Sequence, residues 1–147
     1  MMLVAHNIRS LYNVGSIFRN AAAFGVEKLY LTGYTAAPPR KEIAKVALGA
    51  QDLVVWEKTN FDTALKELKD NGYQVWGLEN DDSAIDIKNL TEKKQANIAL
   101  VLGNEVEGLD KETIEKLAGT VKIPMARKKS LNVAVASGVA IYVLTQK

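Results

Sequence analysis

The stretch from Asn97 to Leu102 is almost entirely apolar and is followed by Gly103. A short apolar run of this kind is typical of a strand in the middle of a parallel sheet, because helices cover both of its faces. Strand-like runs and helical patterns alternate along the rest of the chain. This alternation predicts an α/β fold, in which one parallel sheet is flanked by helices.

The spacing of apolar residues predicts the other elements. Strands are expected at 2–5, 26–31, 53–56, 73–78 and 121–123, and helices at 14–24, 42–48, 61–70, 111–117 and 131–145. Asn13, Asn60 and Asp110 are placed to cap the start of a helix, and Gly25 to end one. The acidic stretch 79–86 is expected to form turns, and the segment 81–94 shows no distinctive pattern. The last helix is apolar nearly all round, so we expect the sheet and a second subunit to cover it.

Composition limits the possible classes of protein. The chain has 147 residues, of which 48% are apolar and 24% charged, as in an ordinary globular domain, so one domain covering 1–147 is expected. It has no cysteine and one histidine, His6. These counts exclude disulfides and thiolate chemistry, and they disfavour a histidine-rich metal site or a serine-type triad, so no metal is expected. No signal peptide is visible, and the apolar run from Leu131 to Leu144 is too short for a membrane span, which favours a cytoplasmic location.

Ligands of parallel sheets usually bind at the carboxyl ends of the strands. In this chain the corresponding loops begin at Gly33, Leu78, Gly103 and Pro124. None of them carries the glycine pattern of a dinucleotide site, and no phosphate-binding loop of the nucleotide hydrolases is present. The sequence therefore favours a different kind of ligand at this edge.

Three separated clusters carry the most specific signal. They are Asn13-Val14-Gly15-Ser16-Ile17-Phe18-Arg19, then Leu102-Gly103-Asn104-Glu105-Val106-Glu107-Gly108-Leu109, then Ile123-Pro124-Met125 with Ser130-Leu131-Asn132. In this order they resemble the three motifs of the SPOUT superfamily, specifically the SpoU (TrmH-type) RNA ribose methyltransferases. The resemblance covers essentially the whole chain.

The resemblance implies a C-terminal trefoil knot, a homodimer, S-adenosylmethionine as methyl donor, and the ribose 2′-hydroxyl of tRNA or rRNA as acceptor. By position it implies donor contacts at Leu78, Gly103, Ile123 and Leu131, with Ser130 close by. Gly103 has no Cβ that would block a ligand, and Ile123 and Leu131 offer apolar walls. Since the chain starts at the first strand and ends after the last helix, the dimer itself would supply the affinity for RNA.

The resemblance implies catalytic roles for Arg19, Ser130, Asn132 and Glu105. Arg19 lies in a mostly apolar helix, where an unpaired guanidinium would be costly, so a functional role is expected. The resemblance implies that Arg19 deprotonates the ribose hydroxyl. Because a guanidinium is a poor base, we favour instead a role for Arg19 as an electrostatic clamp on a phosphate and on the developing alkoxide. Glu105 would hold Arg19 or an RNA group, with Ser130 and Asn132 orienting the substrate.

Other residues have both a binding and a structural interpretation. Asn13 would contact substrate or cap its helix, and Ser130 would orient the substrate or cap the last helix. The exposed cations Arg9, Arg40, Arg127 and Lys128 would track the RNA backbone or merely aid solubility. Tyr34 would stack on a base or pack on the fold, and His6 is expected to be partly buried.

Two alternatives to ribose methylation remain open from the sequence. The first is a non-catalytic, knotted RNA-binding or ribosome-assembly module. The presence of Arg19, Glu105, Ser130 and Asn132 together disfavours it. The second is a related enzyme that methylates a base nitrogen, which would use a different catalytic residue.

Overall fold

The computed structural model describes residues 1–92 and 97–146, and within them it contains one sheet of seven parallel strands. The strands are β1 (Met2–His6), β2 (Lys28–Thr32), β3 (Trp56–Lys58), β4 (Gln74–Leu78), β5 (Ile85–Asp86), β6 (Ile98–Leu102) and β7 (Gly119–Lys122). Their order across the sheet is β3-β2-β1-β6-β4-β7-β5. The apolar strand β6 lies at the centre, as its sequence predicts, and all five of its residues are buried.

Helices cover both faces of the sheet. They are α1 (Leu11–Phe24), α2 (Lys41–Ala47), α3 (Phe61–Asp70), α4 (Lys88–Glu92), α5 (Lys111–Glu115) and α6 (Val133–Thr145). Helices α1, α2, α4 and α6 bury their apolar side chains in one core, and α3 and α5 pack on the opposite face. Successive strand residues point to opposite faces, so Leu100 belongs to the first core and Val101 to the second. The α/β prediction is confirmed.

Helix α1 is held closely against two other helices, α2 and α6. At its contact with α2, a Cβ added at Gly15 would lie 2.6 Å from the carbonyl oxygen of Ile43, closer than packed atoms approach. The glycine therefore permits the helices to touch along their backbones. On the other side, the Asn20 amide donates hydrogen bonds to the Ala134 carbonyl oxygen at 2.9 Å and to the Ser137 hydroxyl at 3.0 Å.

Several predicted boundaries are wrong. Helix α1 begins at Leu11, because the Ser10 side chain accepts from the Asn13 N–H and caps the helix, so the prediction of Asn13 as the cap is incorrect. Strand β3 begins at Trp56, after a short 3₁₀ turn at Ala50–Asp52, and not at 53. The segment predicted as featureless contains β5 and α4, while its last residues, 93 and 94, lie outside the described residues.

Candidate active site

A cavity of about 200 Å³ opens at the carboxyl edge of the sheet, beside the central strands. Three loops form it: the one after β4, the one after β6, and the one that joins β7 to α6. Its walls include the four predicted donor contacts, Leu78, Gly103, Ile123 and Leu131, together with Ser130, which was expected close by. Parallel sheets place these loops together because the ends of neighbouring strands share one edge.

The cavity has an apolar wall and a polar rim. Leu78, Ile123, Met125, Leu131, Val133 and Ala136 supply the apolar lining. Two carboxylates, those of Glu79 and Glu105, lie on the rim. Of these, Glu79 Oε2 accepts from the Leu109 N–H at 2.8 Å, which ties the loop after β6 to the end of β4. Glu79 is not among the residues predicted from the three motifs. Its position directly after the β4 strand is the sequence signal that could have identified it.

The loop that follows β6 requires a glycine at position 103. A Cβ at this position would lie 2.7 Å from the carbonyl carbon of Gly108 and 2.8 Å from the nitrogen of Leu109. The missing side chain therefore leaves room for the returning loop, whose residues Asn104 and Gly108 form an isolated antiparallel bridge. This loop closure shapes the cavity wall, to which Gly103 itself belongs, and the donor contact at Gly103 stays a prediction.

Glu105 is held by the beginning of α1. Its Oε1 atom accepts from the Ser10 N–H at 2.9 Å and from the Asn13 side-chain amide at 3.1 Å, and its Oε2 atom accepts from the Arg9 N–H at 2.9 Å. Burial by itself would raise the pKa of Glu105, but these hydrogen bonds outweigh it and hold the pKa below the ordinary value of 4.5. The carboxylate thus fastens the first motif to the second. Within this chain Glu105 does not contact Arg19, and the alternative contact with an RNA group stays a prediction.

Asn132 completes a chain of polar contacts across the motifs. Its side-chain oxygen accepts from the Ala134 N–H at 2.8 Å and caps α6, so the cap is Asn132 and the alternative of capping by Ser130 is wrong. Its amide donates to Asn13 Oδ1 at 3.4 Å. Asn13 therefore lies between Glu105 and Asn132, and one residue from each motif belongs to a single network.

Arg19 lies elsewhere. Its side chain is exposed on α1, it does not line the cavity, and it forms no ion pair with any residue that the structure describes. The prediction that Arg19 sits in costly apolar surroundings is wrong, because the buried face of α1 is made by Val14, Ile17, Phe18 and Ala21 and leaves position 19 facing outward.

The four cations predicted to meet RNA are all exposed. Arg9 is near the site through its backbone contact with Glu105, whereas Arg40 lies 3.9 Å from the Glu42 carboxylate at the start of α2. Arg127 and Lys128 lie in the loop between β7 and α6, next to Lys129, which helps to line the cavity. The Asn80 amide donates to the Lys129 carbonyl oxygen at 2.6 Å and fixes this loop.

His6 is half-buried, as predicted, with Nδ1 2.9 Å from the Thr32 hydroxyl and its ring packed on Phe61. Among residues 1–92 and 97–146, no cluster of three or more histidine, aspartate or glutamate side chains is arranged to hold a metal ion. Over the same ranges, every helix is too short or too polar to cross a bilayer.

The protein is a parallel α/β domain, and three loops form a ligand cavity at the carboxyl edge of its sheet. These features are typical of the broad class of α/β proteins that bind nucleotides or cofactors. Comparison with known proteins narrows this class. A model of the SpoU rRNA Methylase family matches residues 1–142. The chain therefore belongs to this family, and the resemblance seen in the three motifs is confirmed.

Individual relatives agree with this assignment. The chain is 32% identical to the 23S rRNA (guanosine-2′-O-)-methyltransferase RlmB of Xanthomonas axonopodis pv. citri, over 97% of this chain and 57% of that protein. It thus spans a little over half the length of such curated relatives. The AdoMet-bound rRNA methyltransferase of Sinorhizobium meliloti superposes with a TM-score of 0.89 at 26% identity, covering 97% of this chain and 54% of that one. A structure described as concerning the 2-OH methylation of C/U34 on tRNA has a TM-score of 0.83 at 27% identity, covering 97% and 92%.

Proposed function

We propose that this protein transfers a methyl group from S-adenosylmethionine to a ribose 2′-hydroxyl of RNA. The observation that carries the proposal is the single cavity in which the loops of the second and third motifs meet, joined to the first motif through Glu105 and Asn13. The names of the relatives support both the donor and the ribose acceptor.

The lining of the cavity fits the proposed donor. S-adenosylmethionine, when bound, supplies a methyl group on a positively charged sulfur. The apolar side chains of Leu78, Ile123 and Leu131 would hold its uncharged parts. The lining also carries two acidic residues, Glu79 and Glu105, which would attract the positive charge of the donor, and two lysines, Lys122 and Lys129, which would attract its carboxylate. Ser130, which is exposed at the rim, would face both donor and RNA.

A homodimer would bring Arg19 to the chemistry. Val135, Val139 and Tyr142 on α6 are exposed to 53%, 39% and 52%, and they form an apolar stripe on a helix that packs against α1. A two-fold interface buries such a stripe against its own copy. The exposed Arg19 on the neighbouring helix would then act in the cavity of the second subunit.

In that arrangement the side chains divide the work. Arg19, which stays protonated, would bind an RNA phosphate and stabilise the negative charge that develops on the 2′ oxygen. That oxygen would lose its proton to solvent and take the methyl group as the bond between the methyl carbon and the donor sulfur breaks, which leaves S-adenosylhomocysteine. Asn132 and Ser130 would orient the ribose. Glu105 would act as a positioning residue, because its carboxylate is already committed to the backbone of Arg9 and Ser10 and to Asn13.

The finer structural and cellular predictions also belong to this proposal. A trefoil knot in the C-terminal segment is supported by the position of β4 between β6 and β7 and by the return of α6 to pack on α1. Residues 1–147 would form one catalytic domain acting on tRNA or rRNA, with Arg9, Arg40, Arg127 and Lys128 on phosphates. Such substrates favour a cytoplasmic location.

The proposal is tested by incubating the protein with labelled S-adenosylmethionine and bulk tRNA or rRNA, followed by nucleoside mass spectrometry. A 2′-O-methylated nucleoside is expected. Arg19→Ala should lower turnover by about 100-fold or more, whereas Lys45→Ala, an exposed cation on α2, should not. Donor binding without product on any RNA would favour the non-catalytic module, and a methylated base would favour the base-modifying alternative.

Mixing two inactive variants tests the shared site. Arg19→Ala retains an intact cavity, and Leu131→Asp retains Arg19 but places a charge on the cavity wall. If Arg19 acts across the dimer, random mixing should restore about a quarter of the wild-type sites, because half of the dimers are mixed and each has one complete site. If Arg19 acts within its own chain, the mixture should remain inactive.

A further inference from the structure

Tyr34 is an exposed aromatic residue at the carboxyl edge of the sheet. It follows Gly33 directly after β2, and 60% of its surface is accessible. A ring this open contributes little to the core, and its faces are accessible to another molecule.

The turn that carries Tyr34 is fixed from several directions. The Tyr34 N–H donates to Asn7 Oδ1 at 3.1 Å, and Lys58 Nζ donates to the carbonyl oxygens of Gly33 and Thr35, both at 2.6 Å. Thr35 is buried, and its hydroxyl donates to the Ala5 carbonyl oxygen at 2.9 Å. The turn is therefore tied to its neighbours β1 and β3, and it holds an exposed side chain in one place.

Glycine is required at the start of this turn. Gly33 has φ +62°, and a Cβ there would overlap Asn7 Oδ1, the atom that receives the Tyr34 N–H. Asn7 itself has φ +56°, an unusual conformation for a residue with a side chain. Glycine and asparagine are the residues that adopt this left-handed conformation most readily, so the local sequence specifies the shape of the turn.

The phenol also contacts the wall of the cavity. The Asn104 amide donates to the Tyr34 hydroxyl at 2.7 Å and to the Asn7 carbonyl oxygen at 3.1 Å, and Asn104 lines the cavity. One hydrogen bond therefore separates the ring from the proposed donor site. A tyrosine anchored at its backbone and at its hydroxyl loses little further freedom when its face is covered.

We propose that Tyr34 is a stacking platform for a nucleobase of the RNA, beside the ribose that is methylated. This inference rests on the proposed function and adds a substrate class, RNA that presents an unpaired nucleotide near the target. A base inside a duplex is covered on both faces by its neighbours, whereas a loop nucleotide offers a free face to an aromatic ring. The exposed Arg9 lies in the loop after β1, which contacts this turn through a hydrogen bond from the Ile8 N–H to the Thr35 hydroxyl at 2.9 Å. Arg9 would supply positive charge for the phosphate of such a nucleotide.

The test measures RNA binding separately from methylation. The probe is a 17-nucleotide RNA hairpin with a seven-nucleotide loop that carries one 2-aminopurine, scanned through the loop positions, in the presence of S-adenosylhomocysteine. For the wild type we expect quenching of the probe at one loop position, because 2-aminopurine loses fluorescence when it stacks. Tyr34→Leu should abolish that quenching and weaken binding by about 10-fold or more.

Two further variants separate stacking from other effects. Tyr34→Phe keeps the ring and loses the hydrogen bond from Asn104, so quenching should persist. Tyr73→Leu removes a tyrosine at the opposite edge of the sheet, just before β4, and should bind like the wild type. S-adenosylhomocysteine affinity, measured by calorimetry, should be the same for wild type and Tyr34→Leu.

The inference is overturned if Tyr34→Leu binds and quenches like the wild type, if a fully paired duplex binds as well as the hairpin, or if the variant changes the oligomeric state instead of RNA affinity. Its failure differs from failure of the proposed function. If RNA binding depends on Tyr34 but no methylated nucleoside forms, the proposed methyltransferase activity is refuted and the stacking role of Tyr34 is not. Normal methylation by Tyr34→Leu, with unchanged KM for RNA, would refute the platform alone.

Discussion

Replacing Glu105 by glutamine tests whether this carboxylate positions the motifs or takes part in the chemistry. In the wild type, Oε2 accepts from the Arg9 N–H, while Oε1 accepts from the Ser10 N–H and the Asn13 amide. Glutamine offers a single acceptor oxygen, and its amide nitrogen would face one of these donors. The Arg9 N–H, which also lies 3.1 Å from Oε1, keeps only that longer hydrogen bond, and all three donors lose the benefit of the negative charge.

Hydrogen bonds to a charged group contribute about 1.5–3 kcal/mol each when well shielded. The carboxylate of Glu105 is only partly buried, so water replaces part of what is lost. We expect Glu105→Gln to lower the free energy of unfolding by about 1–2 kcal/mol, which corresponds to a fall in Tm of about 3–6 °C for a chain of this size. Glu107→Gln, on the same loop with an exposed side chain, is the matched control and should be neutral.

The pH dependence makes the test specific. Because the pKa of Glu105 is lower in the folded state than its ordinary value of 4.5, its stabilising contribution is present above pH 4.5 and is lost as the pH falls through the folded value. Urea denaturation of both proteins across this range should show the difference shrinking on acidification. A difference that is absent at neutral pH, or that persists unchanged in acid, would refute the positioning role. Lost turnover at unchanged stability would instead indicate a catalytic one.

Three further predictions follow from the packing. Gly103→Ala should distort the loop after β6, because the new Cβ would approach Gly108 to 2.7 Å. Calorimetry should then show that S-adenosylhomocysteine binds at least about 10-fold more weakly, a loss within the usual cost of overpacking. Unaltered binding would contradict the loop-closure role. Val139→Glu should convert a dimer to monomers in light scattering, since it places a charge in the apolar stripe of α6; a dimer that persists would move the interface elsewhere. Burial lowers the pKa of His6 from 6.5, so below pH 6.5 the unfolded chain binds a proton that the folded chain does not, and the stability of the fold should decrease as the pH drops. His6→Gln should remove that part of the pH dependence in thermal melts. If the variant and the wild type show the same pH dependence, His6 is not its source.

Where local signals and burial agree, the sequence predicts the fold well. Helix α3 begins where the Asn60 side chain caps it and carries its apolar residues at helical spacing, and the structure contains that helix with that cap. Strand β6 was predictable for a similar reason. Its five consecutive apolar residues are best buried on both faces, and a strand at the centre of a parallel sheet provides that environment.

The predicted boundaries are wrong where a secondary-structure element depends on a contact with a residue far away in the sequence. Strand β5 has only two residues, and it forms because Ile85 and Asp86 pair with β7, more than thirty residues later. The start of α1 was misplaced because both Ser10 and Asn13 are good caps, and the choice depends on Glu105, which holds the amide of Asn13. No local pattern contains that information.

The candidate site shows the same division. Motif positions were enough to collect the five cavity residues, since they follow the ends of strands that lie side by side. They were not enough to show which face of α1 carries Arg19, because the alanine-rich turn after it looks apolar all round in the sequence. Alanine is compatible with either face, so the covering helices α2 and α6 determine which side is outward.

The two outermost strands of the sheet are also its shortest, three residues in β3 and two in β5, while β1, β2, β4 and β6 have five. An edge strand exposes backbone N–H and carbonyl groups that can template pairing with another chain, and short, charged edges limit that risk. Glu57 and Lys58 on one border and Asp86 on the other add the charge. The sheet is thereby protected against open-ended growth by strand addition. The proposed dimer would instead form through the side chains of its helices, which can close into a defined assembly.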